Sequence, residues 1–164
     1  MAAEPPWLTP AERAAWLGLI GVVELLPAAL DGQLQRDASV SHFEYMVMAM
    51  LSEAADHTQR MTAPATQTNS TLPRLSHVVT RLVTRGFVER IPCPQDKRAT
   101  NAHLTDAGWR HIQASAPGHV ATVREVVIDS LSAVQIEQLR DISASILARL
   151  DPTQRFNPKS DNST

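Results

Sequence analysis

Residues 60–100 concentrate the one chemistry this sequence holds in quantity, which is cationic hydrogen-bond donation. Seven basic side chains (Arg60, Arg74, Arg81, Arg85, Arg90, Lys97, Arg98) stand there against two acids, Glu89 and Asp96. The segment is therefore +5 and the rest of the chain −7, within a total of −2. A basic segment on an acidic body suits phosphate, because one face meets the polyanion and the rest is held away from it. A solvated charged helix gives the same count, so placement has to decide between the two. With Leu75 set inward at about 100° per residue, Leu72, Val79 and Leu82 gather around it and Val78 lies alongside. Pro73, Ser76, His77, Thr80, Arg81 and Thr84 then point outward, on a face with donors and acceptors but no acid.

Other chemistries find little support. His42, His57, His103, His111 and His119 lack the H-x3-H spacing that puts two metal ligands on one face, and no C-x2-C occurs. They read as structural or surface residues, with no metal and no cofactor. There is no glycine-rich phosphate loop, no G-x-S-x-G elbow and no histidine beside a plausible nucleophile, so an enzyme is not expected. Cys93, the single cysteine, excludes an internal disulfide and fits a reducing cytosol. Its position between Pro92 and Pro94, near Lys97 and Arg98, raises a thiol switch. A passive thiol is favoured, since no resolving partner exists. For His77 a phosphate contact is favoured over a base contact, because most protein–DNA hydrogen bonds go to the backbone.

The elements that must position these residues are well marked. A chain of 164 residues with 43% hydrophobic and 4% aromatic content fits one domain, mainly α. Thr9-x-x-Glu12, Ser41-x-x-Glu44 and Ser132-x-x-Gln135 are capping boxes, in which each side chain satisfies the other's free amide. They predict helix starts near residues 10, 42 and 133. The first helix is expected from Pro10 to Leu34, with Trp16, Leu19, Ile20, Val23, Leu26 and Leu30 as its stripe and a kink or break at Pro27. A Met-rich second helix runs from Phe43 to about Ala55, and Thr62 caps a short third helix containing Pro64. Asn69-Ser70 reads as the turn and cap before the polar-faced helix, which Gly86 ends. FVERIP, CPQDKR and TNAHLT read as strand, tight basic loop and strand. Thr105 caps a helix over 106–130, which Ala116-Pro117-Gly118 should kink or interrupt. The last helix runs from Ala133 to Leu150, and the tail 151–164 reads as disordered.

Short helix, turn, polar-faced helix and basic hairpin form the order of a winged helix-turn-helix, one helix for the major groove and a hairpin for the backbone or minor groove. The expected division is 1–40 for an N-terminal dimerisation helix, 41–105 for the DNA-binding domain and 106–150 for C-terminal dimerisation helices. The terminal helices are more apolar than the middle domain can cover, so a second copy is the economical partner. Two-fold symmetry would place two reading heads one DNA turn apart. The start MAAEPPW lacks the basic residues of a secretory signal, and Glu24 and Pro27 interrupt the apolar stretch 16–30 short of a membrane span. A cytoplasmic, nucleoid-associated protein with no membrane partner is expected. The alternative is a winged-helix module for protein contact, an antirepressor or scaffold without sequence-specific DNA binding.

Residues 76–109 carry, in order, R-L-x-x-x-G-[FW]-V-x-R, a D-x-R wing and L-T-x-x-G, and in this they resemble the MarR family of bacterial winged-helix regulators. With the flanking long helices the resemblance extends over about residues 10–150. It implies a homodimer on a palindromic operator in double-stranded DNA, usually a repressor, often tied to stress responses and released by a small aromatic or phenolic effector. Carried over by position, the recognition helix is Thr71 to Arg85, with Arg74, Ser76, His77, Thr80 and Arg81 near bases or phosphates. Asp96, Lys97 and Arg98 form the wing. Arg98 would enter the minor groove, held by Asp96 through a charge-assisted hydrogen bond. The resemblance places an effector pocket near Trp16, His42, Tyr45 and Met46, and packing of the junction explains the same residues equally well. The third helix is weaker than the family's pattern, and no cysteine stands near the start of the first helix, which argues against cysteine-based peroxide sensing.

Overall fold

The computed structural model describes residues 7–68, 70–94 and 96–152, and only the backbone of residues 65–67, 97 and 98. Its helices are α1 (Pro10–Ala38), α2 (His42–Glu53), α3 (Thr62–Gln67), α4 (Leu72–Thr84), α5 (Asp106–Val126) and α6 (Ala133–Leu150). Its strands are β1 (Thr58–Arg60), β2 (Val88–Cys93) and β3 (Asp96–Leu104). The mainly helical architecture with a small β-hairpin wing agrees with the expectation from sequence.

The three capping boxes form as predicted, at Thr9, Ser41 and Ser132. Neither proline breaks its helix, so the interruption that the sequence allowed at Pro27 and at Pro117 does not occur. α1 runs unbroken for 29 residues through Pro27, and α5 runs through Pro117 for 21. One lost amide bond and one carbonyl clash cost about 3 kcal/mol, and long helices with many other bonds absorb that. By length and composition α1 is consequently apolar enough to cross a membrane, contrary to the reading that its apolar stretch falls short. The same composition suits a helix that buries its face against a partner.

The cap of α4 also differs. Asn69 lies outside the described residues, and Thr71 is the residue whose hydroxyl accepts the Arg74 amide. Gly86 adopts φ 74°, with its N–H on the Val83 carbonyl and the Phe87 N–H on the Leu82 carbonyl. That closed pair of bonds is the glycine-stopped helix end the sequence predicted. The turn after β2 is shorter than expected, because Asp96 to Arg98 already belong to β3.

The sheet order is β1-β3-β2, all antiparallel. β1, with Thr58 opposite His103, was not foreseen. β2 lies at the other edge, where Pro92 removes no ladder bond the sheet needs, and the register shifts between Pro92 and Cys93. One core joins the end of α1 (Leu34), α2 (Val47, Met48, Leu51), α4 (Leu75, Val79, Leu82), the sheet (Val88, Leu104) and the start of α5 (Ile112). It fixes α4 against α2 and the hairpin. Outside it, the first two-thirds of α1 and all of α6 contribute no buried residue. Large apolar side chains there, including Leu25, Val23, Ile142 and Leu150, face solvent in the single chain.

Candidate nucleic-acid interface

α4 presents the face the sequence predicted. Leu75, Val78, Val79 and Leu82 are buried, while Arg74, Ser76, His77, Thr80, Arg81 and Thr84 are exposed. Leu72 is the exception, half-exposed on the first turn, where the helix projects beyond the core.

Most of the polar side chains on this face are already held by a neighbour. Arg74 lies over the Phe43 ring of α2, 4.9 Å from its centroid, a cation–π contact that aims a long side chain without neutralising it. The Arg81 guanidinium stands 3.1 Å from the Glu44 carboxylate. Glu44 is fully buried, and its other oxygen accepts the Ser41 amide at 2.7 Å as part of the capping box. One carboxylate thus starts α2 and ties α4 to it. Arg90 of β2 donates through Nη2 to the Thr80 hydroxyl at 2.8 Å, the Ser76 carbonyl at 2.9 Å and, more weakly, the Ser76 hydroxyl at 3.3 Å.

Among the predicted helix residues, the structure brings Ser76 and Thr80 together through Arg90 and leaves His77 exposed one residue away from Ser76. Arg85 is set apart. It donates to the Ser39 carbonyl at 2.7 Å and stacks over Phe87 at 4.7 Å, so it links the end of α4 to the end of α1. Thr71 serves as the cap. At the wing, Asp96 pairs with Arg60 of β1 at 2.6 Å, a partner the sequence reading did not supply. The Lys97 and Arg98 side chains lie outside the described residues. Cys93 is buried, which withholds the access an oxidisable thiol needs.

Sequence reasoning missed Arg90, Glu44 and Arg60 as site residues. Arg90 was visible only as one charge of the basic segment and the last letter of G-[FW]-V-x-R, and Glu44 only as half of a capping box.

The residues named for an effector pocket divide. His42 and Tyr45 converge with His119 of α5, the rings centred 6.0 and 4.5 Å from that histidine, and the His42 amide donates to Asp31 at 2.7 Å. Met46 is half-buried beside them in sequence. Trp16 is exposed and lies fifteen residues before Asp31 on α1, about 22 Å along the axis. Burial lowers the titration of both imidazoles below the ordinary range. Mutual repulsion adds to this at His119, whereas Asp31 opposes it at His42. Among the described residues no group of three or more His, Cys, Asp or Glu side chains could hold a metal. A separate apolar groove of about 580 Å³ lies between α1 (Gly18, Val22, Leu25) and the start of the C-terminal region (Val127, Leu131, Leu139).

The family model for the MarR family matches residues 40–100. The chain is similar to Sco3205, a MarR family transcriptional regulator from Streptomyces coelicolor whose crystal structure contains DNA. The two share 41% identity with a TM-score of 0.86, covering 92% of this chain and 94% of that one. It is also similar to two regulators of Bacillus subtilis (strain 168). The uncharacterized HTH-type transcriptional regulator YdcH is 30% identical over 52% of this chain, and the HTH-type transcriptional repressor YetL is 27% identical over 54%. The chain spans 60% and 53% of the lengths of these two relatives.

Proposed function

The chain belongs to the MarR family of transcriptional regulators, and from that premise we propose that it binds a palindromic operator as a homodimer and represses transcription until a small aromatic or phenolic effector releases it. The observation that carries this reading is the acid-free outer face of α4, whose Arg74 and Arg81 are aimed by Phe43 and Glu44. Ordered before binding, these side chains lose less freedom on meeting a groove than unrestrained arginines would. In this reading Arg74, Ser76, His77, Thr80 and Arg81 enter the major groove, and Arg98, with Asp96 and Lys97 at the wing, reaches the minor groove. Arg85 and Thr71 hold the helix ends.

Residues 1–40 and 106–150 supply the dimer scaffold in this reading, and 41–105 the reading head. The exposed apolar faces of α1 and α6, which a lone chain leaves in water, support a second copy as their cover. Repression follows from occupancy, since a dimer across promoter DNA competes with polymerase, and the name of YetL is consistent with it. The His42, Tyr45 and His119 cluster supports an effector site at the scaffold–head junction, where two half-buried imidazoles suit an acidic phenol. Work within the bacterial cytoplasm, on nucleoid DNA, is part of the same reading.

The test is selection of bound sequences from genomic fragments, followed by affinity measurements at several salt concentrations for wild type and Arg98→Ala. The expected result is an inverted-repeat site and a salt dependence that falls by about one phosphate contact per subunit in the variant, with dimerisation intact. A dimer without salt-dependent affinity for its own promoter DNA overturns the proposal in favour of the protein-contact module. Thermal shift with salicylate-like acids tests the effector, and absence of stabilisation at high ligand counts against it.

A further inference from the structure

Arg90 does more to the reading face than add charge, because of which atoms it occupies. The Thr80 hydroxyl donates its only proton to the Ser76 carbonyl at 2.8 Å and accepts from Arg90 Nη2 at 2.8 Å. It has no donor left. What remains to Thr80 is its methyl group and one lone pair. The Ser76 hydroxyl is in the opposite state: it accepts from Arg90 at 3.3 Å, and its own proton has no acceptor among the described residues. Four residues apart, the two hydroxyls lie one turn from each other on one face of α4.

We infer that Arg90 is a specificity-determining positioning residue, which biases Ser76 toward donating to the operator bases and leaves Thr80 no donor to offer them. The inference rests on the DNA-binding reading above. A free serine or threonine hydroxyl rotates to serve as donor or acceptor and so tolerates several bases. A hydroxyl with one lone pair engaged from behind keeps its proton free to turn outward, which suits the acceptors N7 and O6 of guanine, N7 of adenine or O4 of thymine. A methyl beside it suits the C5-methyl group of thymine. The donor that imposes this polarity stands on β2, outside the helix that touches the bases. All three bonds leave the single atom Nη2, and a lysine side chain, one bond shorter, ends short of the position that atom holds.

The experiment uses the full-length dimer and the operator recovered by selection, with every single-base variant of one half-site measured for wild type, Ser76→Ala, Arg90→Ala, Arg90→Lys and Ser76→Ala/Arg90→Ala. Ser76→Ala identifies the base pair that the hydroxyl reads. The expected result is that Arg90→Ala flattens preference at that same base pair by about tenfold, and that the double variant flattens it no further. Arg90→Lys keeps the salt dependence of wild type and still loses the preference. Circular dichroism of each variant establishes that the fold is retained, and Arg90→Lys carries the test if Arg90→Ala unfolds. Uniform weakening of all operator variants, with base preference intact, overturns the inference and leaves Arg90 a phosphate or folding contact. A wild-type dimer that binds DNA without any base preference removes the operator-reading function itself, and the role of Arg90 with it.

Discussion

Arg81 and Glu44 meet at 3.1 Å in two different environments, the carboxylate sealed from solvent and the guanidinium side chain 54% exposed. The pair couples the start of α2 to the outer face of α4, because Glu44 also holds the Ser41 amide. Arg81→Ala leaves a buried charge with one hydrogen bond from its cap. The expected cost is about 2 kcal/mol, below the ~3–5 kcal/mol of a fully buried pair because water can take the vacated side. A fall in the urea midpoint at unchanged slope is the expected observation. An unaltered midpoint would show that water replaces the guanidinium completely.

Leu25 is 73% exposed in the single chain and lines the groove between α1 and the C-terminal region. Leu25→Glu should cost the lone protomer little, since the side chain touches water already, and should divide the proposed dimer. Sedimentation of the variant is expected to give the monomer mass with unchanged helicity, and operator affinity should drop with the loss of the second reading head. A variant that sediments as a dimer would place the interface elsewhere.

His42, His111 and His119 all titrate below the ordinary imidazole value of 6.5, chiefly because burial disfavours the cation. At His111 the Arg85 charge adds to burial and a contact to the Ala38 backbone opposes it. A depressed pKa means that the unfolded chain takes up the proton first, so stability is fully present above 6.5 and is lost as pH falls through the lower folded values. Melting temperature should decline across that window. His119→Gln, which removes one titrating ring and its repulsion of His42, should make the decline shallower. Equal slopes for both proteins would exclude His119 from the effect.

Gly108 has no room for a side chain. A Cβ there would stand 2.2 Å from the Phe87 carbonyl oxygen and 2.6 Å from Leu104 Cδ1. Gly108→Ala should therefore destabilise by about 3 kcal/mol, at the upper end of overpacking costs, because the backbone rather than a mobile side chain must yield. Chemical denaturation measures it, and a loss below a few tenths would mean that α5 shifts freely.

The motif L-T-x-x-G was legible because each letter meets a local demand. Leu104 is buried, the Thr105 hydroxyl caps Gly108 and bonds the Gly86 carbonyl, and Gly108 clears the Phe87 backbone. Capping boxes and the Gly86 stop were legible for the same reason, being complete within a few residues. β1 was not, because three residues without alternation become a strand only when β3 offers an open edge. The clamp by Arg90 depends on the hairpin folding back over α4, and the Arg60 to Asp96 bridge joins residues 36 apart, so neither follows from spacing along the chain. Pro27 and Pro117 do not break their helices because their local penalty competes with the length of the helix around them.

The division of charge noted in the sequence, +5 over residues 60–100 and −7 elsewhere, also shapes the approach to a partner before any contact is made. A molecule with such electrical polarity experiences a torque near a polyanion and turns its basic end forward while still separated from it. Random collisions are converted into aligned ones, and the faster encounter is confined to distances of roughly 8 Å at physiological ionic strength. Added salt would thus slow arrival as well as weaken the final complex, and the acidic remainder would repel the duplex from every wrong side.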